Sequence, residues 1–204
     1  MPAQTPRSAL PAMTALPAMT ALPAMTALLA MTAVLACGAA TTAAADGANA
    51  AATDPCAGFK WDITKEQALF ATAPKELTAG RNPVKAAVLM PDRLFQLRLA
   101  RRAQVKFAVK PGRKGAAAGP YAGIALIQTG MPGTYRISVD QPLWIDVDLR
   151  GQLLVPKDFE GAHGCQTPRK IVEFELTDPQ PYVLQFSGAP EPRMRVTVTR
   201  EPGH

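Results

Sequence analysis

One pair of carboxylates lies beside an indole in a segment with strand-like alternation. Asp146 and Asp148 follow Trp144 at two and four residues, and side chains two residues apart in a strand point to the same face. Carboxylates beside an aromatic ring suit sugar recognition or glycoside hydrolysis, although same-face neighbours about 7 Å apart match neither usual hydrolase geometry securely. The simpler interpretation is an ordinary solvent-facing strand surface.

A second polar group, Asp158, Glu160 and His163, falls in the loop between Pro156 and Pro168. These side chains could bind a cation, because loops carry function more often than cores do. Their spacing matches no common ligand motif, which favours a solvated polar loop. A non-haem iron dioxygenase needs two histidines and a carboxylate. The only other histidine is the terminal His204, so the sequence supports such a site poorly and predicts no cofactor.

Two cysteines remain once the first fifty residues are set aside, Cys56 and Cys165. An even pair in an exported chain predicts a disulfide between them. Two buried free thiols are the alternative, and a Cys165 nucleophile assisted by His163 would require that the disulfide be absent. The chain has no Walker A loop, no G-x-G-x-x-G and no G-x-S-x-G, so nucleotide-binding and serine-hydrolase signatures are missing.

Positive charge is concentrated between Arg81 and Lys114, where ten basic residues stand against the single acid Asp92. Alternation with apolar positions predicts a basic hairpin with its cations on the outer face and at the turn. The predicted binding residues are Arg98, Arg101, Arg102, Lys106 and Lys110. Such a face could attract anionic envelope lipid, lipopolysaccharide or an acidic protein, whereas few aromatic residues interleave to stack on nucleic acid. Alternatively, the cations protect an edge strand from aggregation.

The first 45 residues predict a secretion signal. They contain one charged side chain, Arg7, and an uninterrupted apolar stretch at residues 24–36, too short to span a bilayer. Three alanines before Asp46 suit cleavage near Ala45, which predicts a periplasmic or secreted protein with no transmembrane segment in its mature chain. Two alternatives remain open: a lipoprotein acylated at Cys37, and a true start at Met19 or Met25.

The mature chain is predicted to be all-β. Residues 46–55 form a flexible spacer, and residues 56–204 form a single domain, an antiparallel β-sandwich of about eight strands. Thr64 to Gln67 has capping-box spacing and predicts one short N-terminal helix. Two-residue alternation between Pro and Gly breaks predicts the strands, including 95–99 paired with 105–109 as the basic hairpin.

Two resemblances support this fold. The stretch GTYRISV at residues 133–139, followed by LWIDV at 143–147, resembles the paired central strands of bacterial pre-peptidase C-terminal β-sandwich domains. The mature chain, from CAGF at residue 56 through HGC at 163–165 to the last strand, is similar to a group of small exported β-sandwich proteins of Gram-negative bacteria. The second resemblance implies a periplasmic β-sandwich and brings no activity or catalytic residues with it.

Three function hypotheses follow. The first is a non-enzymatic envelope protein or binding module that contacts an anionic envelope component or a protein through the basic hairpin. The second is a small hydrolase or metal-dependent enzyme that would gather the acidic residues and His163 in one concavity. Its candidate residues are Asp146, Asp148, Asp158, Glu160 and His163. The third is a purely structural accessory domain.

Overall fold

A computed structural model describes residues 54–112 and 119–201 of the chain. The predicted signal segment at 1–45, Cys37 and most of the predicted spacer at 46–55 lie outside the described residues. Arg113, Lys114 and His204 lie outside them as well. Within the described residues, no helix is long and apolar enough to cross a membrane.

The described chain is mostly β-structure, with one α-helix, α1 (Thr64–Phe70), and 3-10 turns at Pro83–Lys85 and Arg102–Gln104. The strands in chain order are β1 Lys75–Thr78, β2 Ala87–Leu89, β3 Leu94–Arg98, β4 Ala100–Arg101, β5 Tyr121–Ile127, β6 Gly133–Val139, β7 Trp144–Leu149, β8 Gln152–Leu153, β9 Asp158–Gly161, β10 Lys170–Leu176, β11 Tyr182–Ala189 and β12 Arg193–Arg200.

These strands form two six-stranded sheets. Sheet A has the order β1-β3-β12-β6-β10-β9, and sheet B has the order β2-β5-β11-β7-β8 with β4 also paired to β5. The chain leaves sheet A at Arg98 and joins sheet B at Ala100, so a single residue, Leu99, links a strand of one sheet to a strand of the other.

One hydrophobic core holds side chains from both sheets. Phe95, Ile137 and Phe174 come from sheet A, and Ile145 and Phe186 come from sheet B, all at most 2% exposed. The two-residue alternation of the sequence therefore marks the inward positions correctly. Burying a side chain of this size contributes about 1.5–3 kcal/mol, which makes the inner faces of the sheets the main source of stability.

The predicted all-β character and the short helix are confirmed, but the strand count and the purely antiparallel arrangement are wrong. The predicted strand at 95–99 forms and that at 105–109 does not, and five short strands of two to four residues, β1, β2, β4, β8 and β9, were not predicted. Both sheets are mixed, because β1 pairs with β3 and β2 pairs with β5 in parallel. Strands this short have too few positions to show a two-residue period.

The predicted basic hairpin does not form. Residues 105–109 contain no strand, and β3 pairs with β1 and β12 instead. Val105 is buried in a small cluster with Ala122 and Ile124 on the outer face of sheet B, and Phe107 packs against that cluster. The alternation at 105–109 thus reflects the apolar contacts of a segment that lies over sheet B but is not one of its strands.

Candidate functional site

The two aspartates beside Trp144 lie under cover. Asp146 and Asp148 project from the outer face of β7, opposite to Ile145 and Val147 of the core, yet they are only 8% and 3% exposed. Asp146 Oδ1 accepts a hydrogen bond from Trp144 Nε1 at 2.8 Å, and Oδ2 accepts one from the Gly112 amide at 3.2 Å. The interpretation of this strand surface as solvent-facing is therefore wrong.

Burial governs the electrostatics of this pair. It raises the pKa of Asp146, against the hydrogen bonds from Trp144 and Gly112, and it raises the pKa of Asp148, against the amides of Gly151 and Gln152. Asp148 Oδ1 is buried and has no hydrogen-bond partner. With the Trp144 indole and the Gly112 amide bonded to its two oxygens, Asp146 holds the chain above β7, whereas Asp148 accepts from the amides of the turn that follows β7.

Residues 105–112, which we call the covering segment, lie across the outer face of sheet B. Gln185 on β11 fixes it: its Oε1 accepts hydrogen bonds from the Ala108 and Val109 amides at 2.7 and 3.2 Å, and its Nε2 donates to the Val109 carbonyl at 3.1 Å. The Gly112 amide bonded to Asp146 fixes the end of the segment. Buried side chains of sheet B thus replace the ladder partners that a strand would have supplied.

Replacing Gln185 by alanine is expected to lower the free energy of unfolding by about 1–3 kcal/mol, because three backbone groups of the covering segment lose their partner. The amides of Ala108 and Val109 should then exchange with deuterium much faster. Gln166→Ala, at an exposed glutamine, is the matched control and should leave both quantities unchanged. Unaltered exchange at Ala108 and Val109 in Gln185→Ala would contradict this role.

The predicted metal ligands pair with other groups. Lys60 Nζ donates a hydrogen bond to Asp158 Oδ1 at 2.7 Å, which lowers the pKa of Asp158. The Lys60 amide donates to Glu160 Oε2 at 2.9 Å. His163 Nδ1 faces Arg169 at 3.1 Å. Among the described residues, no group of three or more His, Cys, Asp or Glu side chains could hold a metal ion.

The predicted enzyme residues divide between the two sheets. Asp146 and Asp148 lie on the outer face of sheet B, whereas Asp158 and Glu160 lie on β9 at the edge of sheet A. The hypothesis that these residues and His163 form one catalytic set stays a prediction.

The predicted disulfide is confirmed: Cys56 and Cys165 are bonded, with their Cα atoms 4.7 Å apart. Neither sulfur can then act as a thiolate, so the Cys165 nucleophile is wrong. The bond fixes the N-terminal segment to the outer face of sheet A, where Phe59 and Ile63 pack on Cys165 and Ile171. Each sheet consequently has a non-strand segment over its outer face.

Beneath the N-terminal segment lies a buried acidic cluster that the sequence did not reveal. Arg136 Nε donates to Glu173 Oε1 at 2.8 Å, Nη2 donates to Glu201, and Nη1 lies 4.0 Å from Glu66. Glu66 is 2% exposed, and its Oε1 accepts a hydrogen bond from Thr199 at 2.6 Å while its Oε2 has no partner. Burial and the nearby Glu201 raise the pKa of Glu173, against Arg136.

The local sequence concealed the role of Glu66. The spacing from Thr64 to Gln67 predicts a capping box, but the first turn of α1 is tied to Asp62, whose Oδ1 accepts from the Thr64 amide and hydroxyl at 2.9 and 2.6 Å. These bonds lower the pKa of Asp62. Glu66 points instead into sheet A. Its position between the buried apolar residues Ile63 and Phe70 is only a weak indication of this burial in the sequence.

The predicted binding residues separate into distinct surfaces. We call five exposed cations near the edge of sheet B the basic patch: Arg81, Lys85, Arg101, Arg102 and Lys106. A hydrogen bond of 2.8 Å from the Lys106 amide to the Arg81 carbonyl joins its two chain segments. In the described residues, none of the five has a carboxylate within ion-pair distance. Lys110 lies apart, exposed on the covering segment, and Arg98 ends β3 in sheet A.

Exposed apolar side chains accompany the basic patch. Val84 is 93% exposed between Arg81 and Lys85, and Val88 and Met90 on and after the edge strand β2 are about half exposed, at 46% and 50%. Arg101 stacks over the Tyr121 ring at 4.8 Å, which leaves its charge in place. The region therefore combines unneutralised positive charge with apolar side chains at the surface.

Comparison of the chain with protein-family models and with curated proteins gave no match.

Proposed function

We propose that the protein is an exported, non-enzymatic β-sandwich module of the bacterial cell envelope that contacts an anionic lipid surface through the basic patch. A common core between two sheets supports the sandwich. The observation that carries the function is Val84, 93% exposed between Arg81 and Lys85, in a patch whose cations form no ion pair with any described residue. Apolar side chains rimmed by cations are typical of proteins that lie on anionic membranes.

Charge and shape favour a lipid surface over an acidic protein. Cations near an anionic surface contribute about 1 kcal/mol each, and Val84, Val88 and Met90 gain further by burial among acyl chains. A rigid frame presents these groups, because Val105 beneath the patch is packed on β5. Phosphate groups of an anionic phospholipid or of lipopolysaccharide supply the same chemistry, so the experiment compares both sources.

The test is sedimentation with vesicles that contain phosphatidylglycerol, and separately with vesicles that contain lipopolysaccharide. Arg81→Gln combined with Lys85→Gln removes two contacts worth about 2 kcal/mol, and partition should weaken about 30-fold at low salt. The matched control, Arg150→Gln with Lys157→Gln, lowers net charge equally at exposed sites elsewhere. It should bind nearly as the parent protein does.

Raising the salt concentration should weaken binding of the parent protein, because exposed charges are screened. Val84→Ser should weaken binding at every salt concentration, since its contribution is apolar. Equal weakening by the two double variants, or binding that ignores both salt and Val84, would overturn the proposal. The cations would then be protection for the edge strand β2.

A further inference from the structure

A groove of about 210 Å³ lies on the outer face of sheet A. It is formed where β1, β3 and the start of β12 lie side by side. Its lining residues are Glu76, Leu77, Thr78, Gln96, Arg98 and Arg193. We call it the arginine groove.

Two cations face each other across the end of this groove. Arg98 and Arg193 are direct partners in the antiparallel register of β3 and β12, and Thr78 is the parallel partner of Arg98 on the other side. Like charges directly opposite in a sheet destabilise it. In the part of the chain that the structure describes, no carboxylate lies within ion-pair distance of either arginine. An anion bound between them would remove this repulsion.

The next row of the same face has the opposite character. Two residues further along, Glu76 lies beside Gln96, which donates a hydrogen bond to it at 3.1 Å. Arg195 in this row is held by Asp140 at 3.0 Å, so its charge is already neutralised. Rows two residues apart are separated by about 6.6 Å. The groove thus presents paired guanidinium groups at one end and a carboxylate at the other.

We propose that the arginine groove binds a small zwitterion, a phosphate monoester that carries an amine a few bonds away. The phosphate would take hydrogen bonds from Arg98 and Arg193, whose planar donors suit its oxygens, and from the Thr78 hydroxyl. The ammonium would pair with Glu76. This site is separate from the basic patch and does not depend on the proposed lipid contact.

Titration calorimetry at low salt with phosphoethanolamine, inorganic phosphate and ethanolamine tests the site. Phosphoethanolamine should bind at least tenfold more tightly than either fragment. Arg98→Gln with Arg193→Gln should abolish binding, and Glu76→Gln should weaken phosphoethanolamine while leaving phosphate unchanged or tighter. The matched control, Arg150→Gln with Lys157→Gln at exposed sites outside both proposed surfaces, should bind phosphoethanolamine as the parent does. Vesicles of phosphatidylethanolamine carry the same amine on a phosphodiester, so they should compete much less well than phosphoethanolamine. Equal competition by the vesicles would overturn the requirement for a monoester.

Thermal unfolding separates loss of the site from loss of the fold. Because Arg98 and Arg193 repel each other, the double variant should melt at the same temperature as the parent or higher, and phosphoethanolamine should raise the melting temperature of the parent alone. The proposal is overturned if phosphoethanolamine binds no better than phosphate, or if the groove variant binds it equally. The lipid contact is tested at Arg81 and Lys85, which lie outside the arginine groove. A negative result in the vesicle experiment therefore does not change the results expected for phosphoethanolamine.

Discussion

Replacing Cys56 and Cys165 together by alanine is expected to lower the free energy of unfolding by about 4 kcal/mol. The two residues are 109 positions apart. Closing a loop of about 100 residues lowers the conformational entropy of the unfolded chain, which stabilises the folded state by up to about 4.7 kcal/mol. The bond also keeps Phe59 and Ile63 on the outer face of sheet A. Urea denaturation of the oxidised parent and of the double variant measures the difference, with the slope fitted separately for each protein because the unfolded chain without the link is more expanded.

Reduction provides the control for the cysteine variant. Dithiothreitol should destabilise the parent protein to the level of the double variant and leave the variant itself unchanged. If the two proteins unfold at the same urea concentration before reduction, the covalent link contributes nothing. The N-terminal segment would then be held by its packing and by the ion pair between Lys60 and Asp158.

Arg136→Met is expected to cost about 3–5 kcal/mol, because it leaves buried carboxylates without their counter-charge. Glu66, Glu173 and Glu201 all lie within 4.0 Å of this guanidinium, whose side chain is only 12% exposed. Arg150→Met is the matched control. Its ion pair with Asp178 is at the surface, with 61% of the arginine side chain exposed, and such pairs contribute at most about 1 kcal/mol.

The pH dependence of this loss identifies its cause. Burial already raises the pKa of Glu173 in the parent protein, and removal of Arg136 should raise it further. A carboxyl whose folded pKa is raised destabilises the fold once it ionises, so the loss should be largest near pH 7 and should shrink as the pH falls through the folded pKa. In a Glu173→Gln background the same substitution should cost less. A loss that is independent of pH would indicate missing packing alone.

Much of the core could be predicted from the sequence. Ile137, Phe174 and Val196 are wholly buried at positions that alternate with polar residues, because a strand with one buried face imposes a period of two. The short edge strands lack this signal, and the parallel pairs of β1 and β2 depend on long-range register. The crossover at Leu99 was missed because a sheet change within one residue leaves no turn motif.

The candidate sites were harder to predict, since alternation shows which face a side chain occupies and not what covers that face. Asp146 and Asp148 were placed on an outer face, correctly, but both are buried there, and the covering segment contacts Asp146 through Gly112. Glu66 was not singled out in the sequence, because a contact with Thr199, 133 positions away, determines its role. Arg193 was not a candidate, because only the register of β12 brings it opposite Arg98.

The lengths of the outermost strands limit how other chains can join this fold. Sheet A is bounded by β1 and β9, four residues each, and sheet B by β8 with two residues and by β2 and β4 with three and two. Partners that extend a sheet through main-chain hydrogen bonds need a longer free edge, and so does fibrillar stacking. Among the described residues, these short edges offer few free main-chain groups, so pairing of either sheet with another strand is disfavoured.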